Sequence, residues 1–117
     1  MPRFVILEHD HPHLHWDLML EAGTALRTWR LAQPPRHGES IAAIALLDHR
    51  LLYLDYEGPI SGDRGRVSRW EHGTFTAQVG DEKQLVVHLS GERLHGVLWM
   101  ELGEGDAWSG EFRSDER

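Results

Sequence analysis

Four histidines at alternate positions, His9, His11, His13 and His15, followed by Asp17, form the densest group of metal-binding side chains in the chain. On a strand running His15-Trp16-Asp17-Leu18-Met19-Leu20-Glu21, side chains alternate between faces, so His15, Asp17, Met19 and Glu21 share one face and Trp16, Leu18 and Leu20 the other. A bend at Pro12 would let Asp10 to Leu14 fold back, so that His9, ending the preceding strand, supplies a third ligand. Two imidazoles and one carboxylate leave coordination positions open for water or substrate, which a catalytic site needs and a structural site avoids. Such a set accepts zinc as readily as manganese. The plainer alternative is a solvated loop followed by one strand histidine with its hydrogen bonds satisfied, and His11 and His13 are read as exposed loop residues.

The elements that must position these groups read as strands. Apolar residues alternate over short runs bounded by Gly, Asp, Ser and Pro, and no segment carries a long stripe of period 3.6. Strands are expected at Phe4 to Leu7, His15 to Glu21, Leu26 to Leu31, Ile41 to Leu47, Arg66 to Trp70, Thr74 to Val79, Leu85 to Leu89, Leu94 to Leu102 and Ala107 to Phe112. Turn signals at Gly23, Gly80-Asp81, Ser90-Gly91 and Gly103 to Asp106 suit a meander of hairpins. Closure into a small all-β, mainly antiparallel barrel with little helix would remove exposed strand edges. Residues 33–38 and 58–65 read as irregular loops, and 113–117 as a frayed tail.

At 117 residues the chain is expected to be one domain, residues 1–117. It has no cysteine, which removes disulfides, thiolate metal sites and thiol nucleophiles. A formal net charge of -7 argues against a broad basic surface for long nucleic acid, so a phosphate-bearing partner would have to be held locally. Without a basic-then-apolar start or a run of about 20 apolar residues, a cytoplasmic location and no membrane partner are expected.

Glu8-His9-Asp10, then His13-Leu14-His15-Trp16-Asp17-Leu18 and Leu20-Glu21, resembles the opening motif of the 3′-phosphoesterase domain of bacterial ligase D and its stand-alone relatives. In order along the chain, Leu26-Arg27-Thr28-Trp29 resembles the next strand of that family. Asp48-His49 with Tyr53 and Tyr56-Glu57-Gly58 resembles its central motif; Gly65, Val67, Trp70, Gly73, Thr74 and Phe75 the segment after it; and Leu94-His95-Gly96 with Trp108 its closing hairpin. The resemblance implies a β-barrel and a manganese-dependent enzyme that removes 3′-phosphates and 3′-terminal ribonucleotides from nucleic-acid ends in DNA repair. The implied partners are the 3′ end of a DNA or DNA/RNA strand and other end-joining repair proteins. It also implies that His9, His15 and Asp17 hold the metal, and that His49 and Tyr53 act on the phosphate side. A histidine titrating near neutrality suits either holding a nonbridging oxygen or protonating a leaving oxygen. A hinge histidine and a core tyrosine are the competing explanations.

Charged or polar residues expected from the resemblance are replaced by Met19, Gln33, Ile41 and Leu47. Cations fix a phosphoryl group and stabilise its transition state, so their loss would leave the metal with little help. Arg30 is the candidate phosphate cation, and Arg64, Arg66 and Arg69 follow the second loop; solvated faces are the alternative. Trp29, Trp70, Trp99 and Trp108 would either stack a terminal base or pack the core. Two other functions fit the same residues: a non-catalytic metal-binding module, and a non-haem iron oxygenase whose distal ligand is His49, His72 or His88.

Overall fold

The computed structural model describes residues 1–115. Strand β1 (Arg3–His9) pairs antiparallel with β2 (His15–Ala22), β2 with β3 (Ala25–Leu31), and β3 with β4 (Ser40–Arg50). From there β4 meets β9 (Ala107–Ser114), followed by β8 (His95–Leu102), β7 (Gln84–Gly91) and β6 (Arg66–Gly80), and β6 returns to β1. Eight strands thus close a barrel, as the alternation predicts. A two-residue strand, β5 (Gly58–Pro59), lies on the edge of β6. Among the described residues the only helical element is the 3₁₀ turn Leu51–Leu54, and no helix is long and apolar enough to cross a membrane.

Closure depends on the length of β6. Its first half pairs with β1 and its second with β7, and Gly73 sits at the change, opposite both Phe4 and Gly91. The two short strands expected at Arg66 to Trp70 and Thr74 to Val79 are therefore one. Gly73 does not break the strand; a Cβ there would run into the backbone of Ser90, so the crossing admits only glycine. At the other end of the chain β9 continues to Ser114. Arg113 and Ser114 are thus in the ladder rather than in the expected frayed tail, and the Asp115 amide donates to the His95 carbonyl. Residues 116 and 117 of that tail lie outside the described residues.

Two cores result. The barrel interior holds Phe4, Ile6, Leu18, Leu20, Trp29, Leu31, Phe75, Leu98 and Phe112, among others. A second cluster lies outside the barrel wall, where Val5, Leu7, Met19, Leu26 and Val67 meet Leu54 of the 3₁₀ turn. That turn and loop 58–65 cover the outer face of β1 and β2, which explains why four consecutive residues of β1, Phe4 to Leu7, are all buried. Burying one leucine contributes about 1.5–3 kcal/mol, enough for Leu54 to hold the short turn in place.

Candidate metal centre

The β1–β2 hairpin sets His9 opposite His15 and Leu7 opposite Asp17. The odd-numbered residues of both strands face outward, into the margin of the second cluster. His15 and Asp17 are buried, and His9 is half-buried. His15 Nε2 lies 3.3 Å from Asp17 Oδ2 and His9 Nδ1 3.9 Å from the same oxygen. One ligand atom from each residue lies within 4.8 Å of the other two, a group that can hold a metal ion.

Two backbone carbonyls decide which imidazole atoms face inward. His15 Nδ1 is 2.8 Å from the His13 carbonyl oxygen, and His9 Nε2 is 2.8 Å from that of Arg64. A carbonyl can only accept, so each of these nitrogens carries a proton and donates it. In the neutral rings the lone pairs of His15 Nε2 and His9 Nδ1 then point toward the Asp17 carboxylate. Lone pair against carboxylate is repulsive unless a cation lies between them or the rings take a second proton. The other carboxylate oxygen, Asp17 Oδ1, is buried without a hydrogen-bond partner among the described residues, with Arg30 Nε 4.0 Å away. A buried carboxylate oxygen left unpaired is costly, and imidazoles oriented through their far nitrogens are the usual support of a metal ligand. The donor set therefore fits a divalent ion.

The Arg64 carbonyl is delivered by loop 58–65, in which Gly58, Gly62, Asp63 and Gly65 all adopt positive φ. Asp10 ties this loop to the histidine segment, because its Oδ1 accepts the Arg66 amide at 2.8 Å. That hydrogen bond holds the Asp10 carboxyl below its ordinary range. A depressed carboxyl stabilises above its unfolded pKa and loses the contribution as pH falls through the folded value, so this tether should release only in acid below the usual aspartate range. A Cβ on Gly65 (φ +74°) would overlap Asp10 Oδ1 and crowd His11. Gly65→Ala is therefore expected to cost about 2 kcal/mol, combining left-handed strain with the displaced tether. It should also weaken divalent-metal affinity about tenfold, because His9 loses its fixed carbonyl. Denaturant unfolding and metal titration of the variant check the two effects separately.

A cleft of about 280 Å³ opens over His9 and Asp17, and Arg30, His49, Tyr53 and Arg64 line it. His49 sits near the end of β4, where its Nδ1 donates to the Leu47 carbonyl at 2.8 Å and leaves Nε2 without a hydrogen bond among the described residues. Its ring meets Tyr53 edge-on, with centroids 5.9 Å apart. Of the two histidines expected as exposed loop residues, His13 is exposed, whereas His11 is half-buried and lines the cleft. The contributions of the His13 and Arg64 carbonyls carry no sequence signal.

Other expected positions are elsewhere. Met19 is buried beneath the cleft and Gln33 is exposed. Ile41 points into the barrel core, so its side chain does not stand where a phosphate cation is needed. Leu47 is 89% exposed and reaches His49 only through its carbonyl. Tyr56-Glu57-Gly58 works as scaffold: the Glu57 carboxylate accepts the Arg69 amide at 2.8 Å and the Tyr56 hydroxyl donates to the Pro59 carbonyl. Trp29 and Trp108 pack edge-on in the core, and Trp70 lies under the Arg93 guanidinium. His72 is paired with Glu92 and His88 with Asp115, so neither joins the ligand group. Arg66 lines a separate depression with Glu8, Asp10 and Glu57, and Arg69 lies 3.9 Å from Asp55.

The family model described as the DNA Ligase D 3'-phosphoesterase domain matches residues 7–101. The chain is 33% identical over 114 residues to the multifunctional non-homologous end joining DNA repair protein LigD of Mycobacterium tuberculosis (strain ATCC 25618 / H37Rv), covering 90% of this chain and 15% of that protein. It is 33% identical over 104 residues to the multifunctional non-homologous end joining protein LigD of Pseudomonas aeruginosa (strain PAO1), covering 80% of this chain and 12% of that protein. The chain thus spans well under a fifth of the length of these relatives.

Proposed function

The chain belongs to the DNA ligase D 3′-phosphoesterase family, and on that premise we propose that it is a metal-dependent phosphoesterase acting on 3′-phosphates or 3′-terminal ribonucleotides of nucleic-acid ends. The observation that carries the reading is the convergence of His9 Nδ1, His15 Nε2 and the Asp17 carboxylate, with both far imidazole nitrogens tied to carbonyls, at the edge of an open cleft. We read residues 1–117 as one domain, a reading supported by the single sheet to which β1 through β9 belong. The setting is DNA end repair in the cytoplasm, beside other end-joining proteins. That both relatives are non-homologous end joining proteins supports the repair role.

A divalent ion held by His9, His15 and Asp17, manganese by family resemblance with zinc also accepted by the donors, would neutralise phosphate oxygen charge and acidify the attacking water. Arg30 supplies a positive charge on the strand side of the cleft. The Tyr53 hydroxyl donates a hydrogen bond to a phosphate oxygen, and its ring orients His49. His49, with Nδ1 engaged by Leu47, presents Nε2 to hold a nonbridging oxygen or to protonate the leaving oxygen.

His49→Ala is expected to keep metal affinity and to lower turnover of a 3′-phosphorylated oligonucleotide by about 10²-fold or more. Loss of the metal in this variant would make His49 a ligand, and unchanged turnover would remove it from the chemistry. One feature favours a second reading, that of a non-catalytic end-binding module: Met19, on the ligand face two residues beyond Asp17, is apolar and buried where the family resemblance calls for a cation. Retained end binding without product on any 3′ end would establish that reading.

A further inference from the structure

We propose that Arg64 is a phosphate-binding residue of this site, taking an anionic oxygen from the loop side of the cleft while Arg30 faces it from the strand side. The substrate class, a terminal phosphate ester, rests on the phosphoesterase reading above. Beneath the cleft the strands offer Met19 and Leu46, and Arg30 already faces Asp17 at 4.0 Å. A terminal phosphate carries up to two negative charges, so a further cation has to come from the other wall.

Arg64 is on that wall. Its Nε donates to the Ser61 carbonyl at 2.7 Å and Nη2 to Ser61 Oγ at 3.3 Å, which aligns the guanidinium and leaves Nη1 without a partner among the described residues. No carboxylate pairs with it among those residues, whereas Arg3 is bound to Asp55 and Arg113 to Glu111. Its loop is closed on itself, with the Ile60 amide donating to the Gly65 carbonyl at 2.9 Å. A guanidinium already held in place loses less freedom on gripping an anion than a free side chain does. Through its carbonyl the same residue fixes His9, so the anion-binding group and the metal ligand keep a constant relation. That carbonyl survives any side-chain substitution, which separates the two roles experimentally.

The test uses the full chain loaded with manganese, titrated with inorganic phosphate and, separately, with manganese alone. Arg64→Gln should lower phosphate affinity tenfold or more, the scale of one charge-assisted contact, while manganese affinity stays within twofold of the parent. Arg64→Lys should fall between, keeping the charge and losing the fork. Phosphate affinity unchanged in Arg64→Gln, a parallel fall in manganese affinity, or no phosphate binding by the loaded parent would overturn the proposal. Arg64-dependent phosphate binding without turnover of any 3′ end would support Arg64 and overturn the catalytic reading. Turnover indifferent to Arg64→Gln would do the reverse.

Discussion

Asp17→Ala is expected to abolish divalent-metal binding in any practical range, lowering affinity by more than about 10²-fold, because even residues that only support a ligand contribute 10- to 100-fold. The barrel should remain folded. Asp17 sits on the outer wall, and its Oδ1 accepts no hydrogen bond among the described residues. Its removal also relieves the convergence of two imidazole lone pairs on Oδ2. Titration calorimetry with manganese should give one ion per parent chain and none for the variant, with unfolding midpoints close together. His9→Ala and His15→Ala should behave alike. Equal uptake by parent and Asp17→Ala would mean that the carboxylate instead pairs with protonated histidines.

The largest stability effect is expected at Glu71, a carboxylate only 1% exposed. It accepts the amides of His72, Glu92, Arg93 and Leu94 at 2.6 to 2.9 Å, so it binds the turn between β7 and β8 to β6 beside the irregularity opposite β1. Glu71→Ala leaves those four donors to a cavity. One buried donor, the Leu94 amide, and three half-buried ones that water can partly satisfy imply a loss on the order of 3 kcal/mol at about 1–3 kcal/mol for each donor left dry, a large share of the 5–15 kcal/mol available to an ordinary domain. Glu71→Gln should lose less, since one oxygen survives with its two amide donors while the new amide group faces the other two. Denaturant melts of the two variants check both the size and the order. A loss below about 1 kcal/mol in Glu71→Ala would contradict the cluster's role.

Much of this was legible in the sequence, and the parts that were not have specific causes. Alternation along β2 separates His15, Asp17 and Met19 from Trp16, Leu18 and Leu20, which is how the two faces are occupied. β1 was legible as a short apolar run, Phe4 to Leu7, and its burial on both faces explains why that run carries no polar alternation. Gly73 reads as a break since only the approach of Ser90 explains a glycine inside a strand. The 3₁₀ turn is a single short turn held by Leu54, below what periodicity can detect. Strand parity is not readable from a resemblance: on β4 the side chains of Ile41 and Ala43 enter the barrel, so a cation near Ile41 would face the site only from a neighbouring position. The convergence of the His-x-Asp pair with His9 was readable, but the carbonyls of His13 and Arg64 were not, because backbone oxygens carry no residue identity.

The most direct test of the phosphoesterase account is to incubate the purified chain with manganese and an oligonucleotide ending in a 3′-phosphate, and to analyse the released phosphate and the new 3′ end. The account predicts stoichiometric inorganic phosphate and a 3′-hydroxyl end, formed with manganese, stopped by chelation and absent with Asp17→Ala. Release of equal phosphate by the chelated protein or by Asp17→Ala, or none by the manganese-loaded parent, would contradict it.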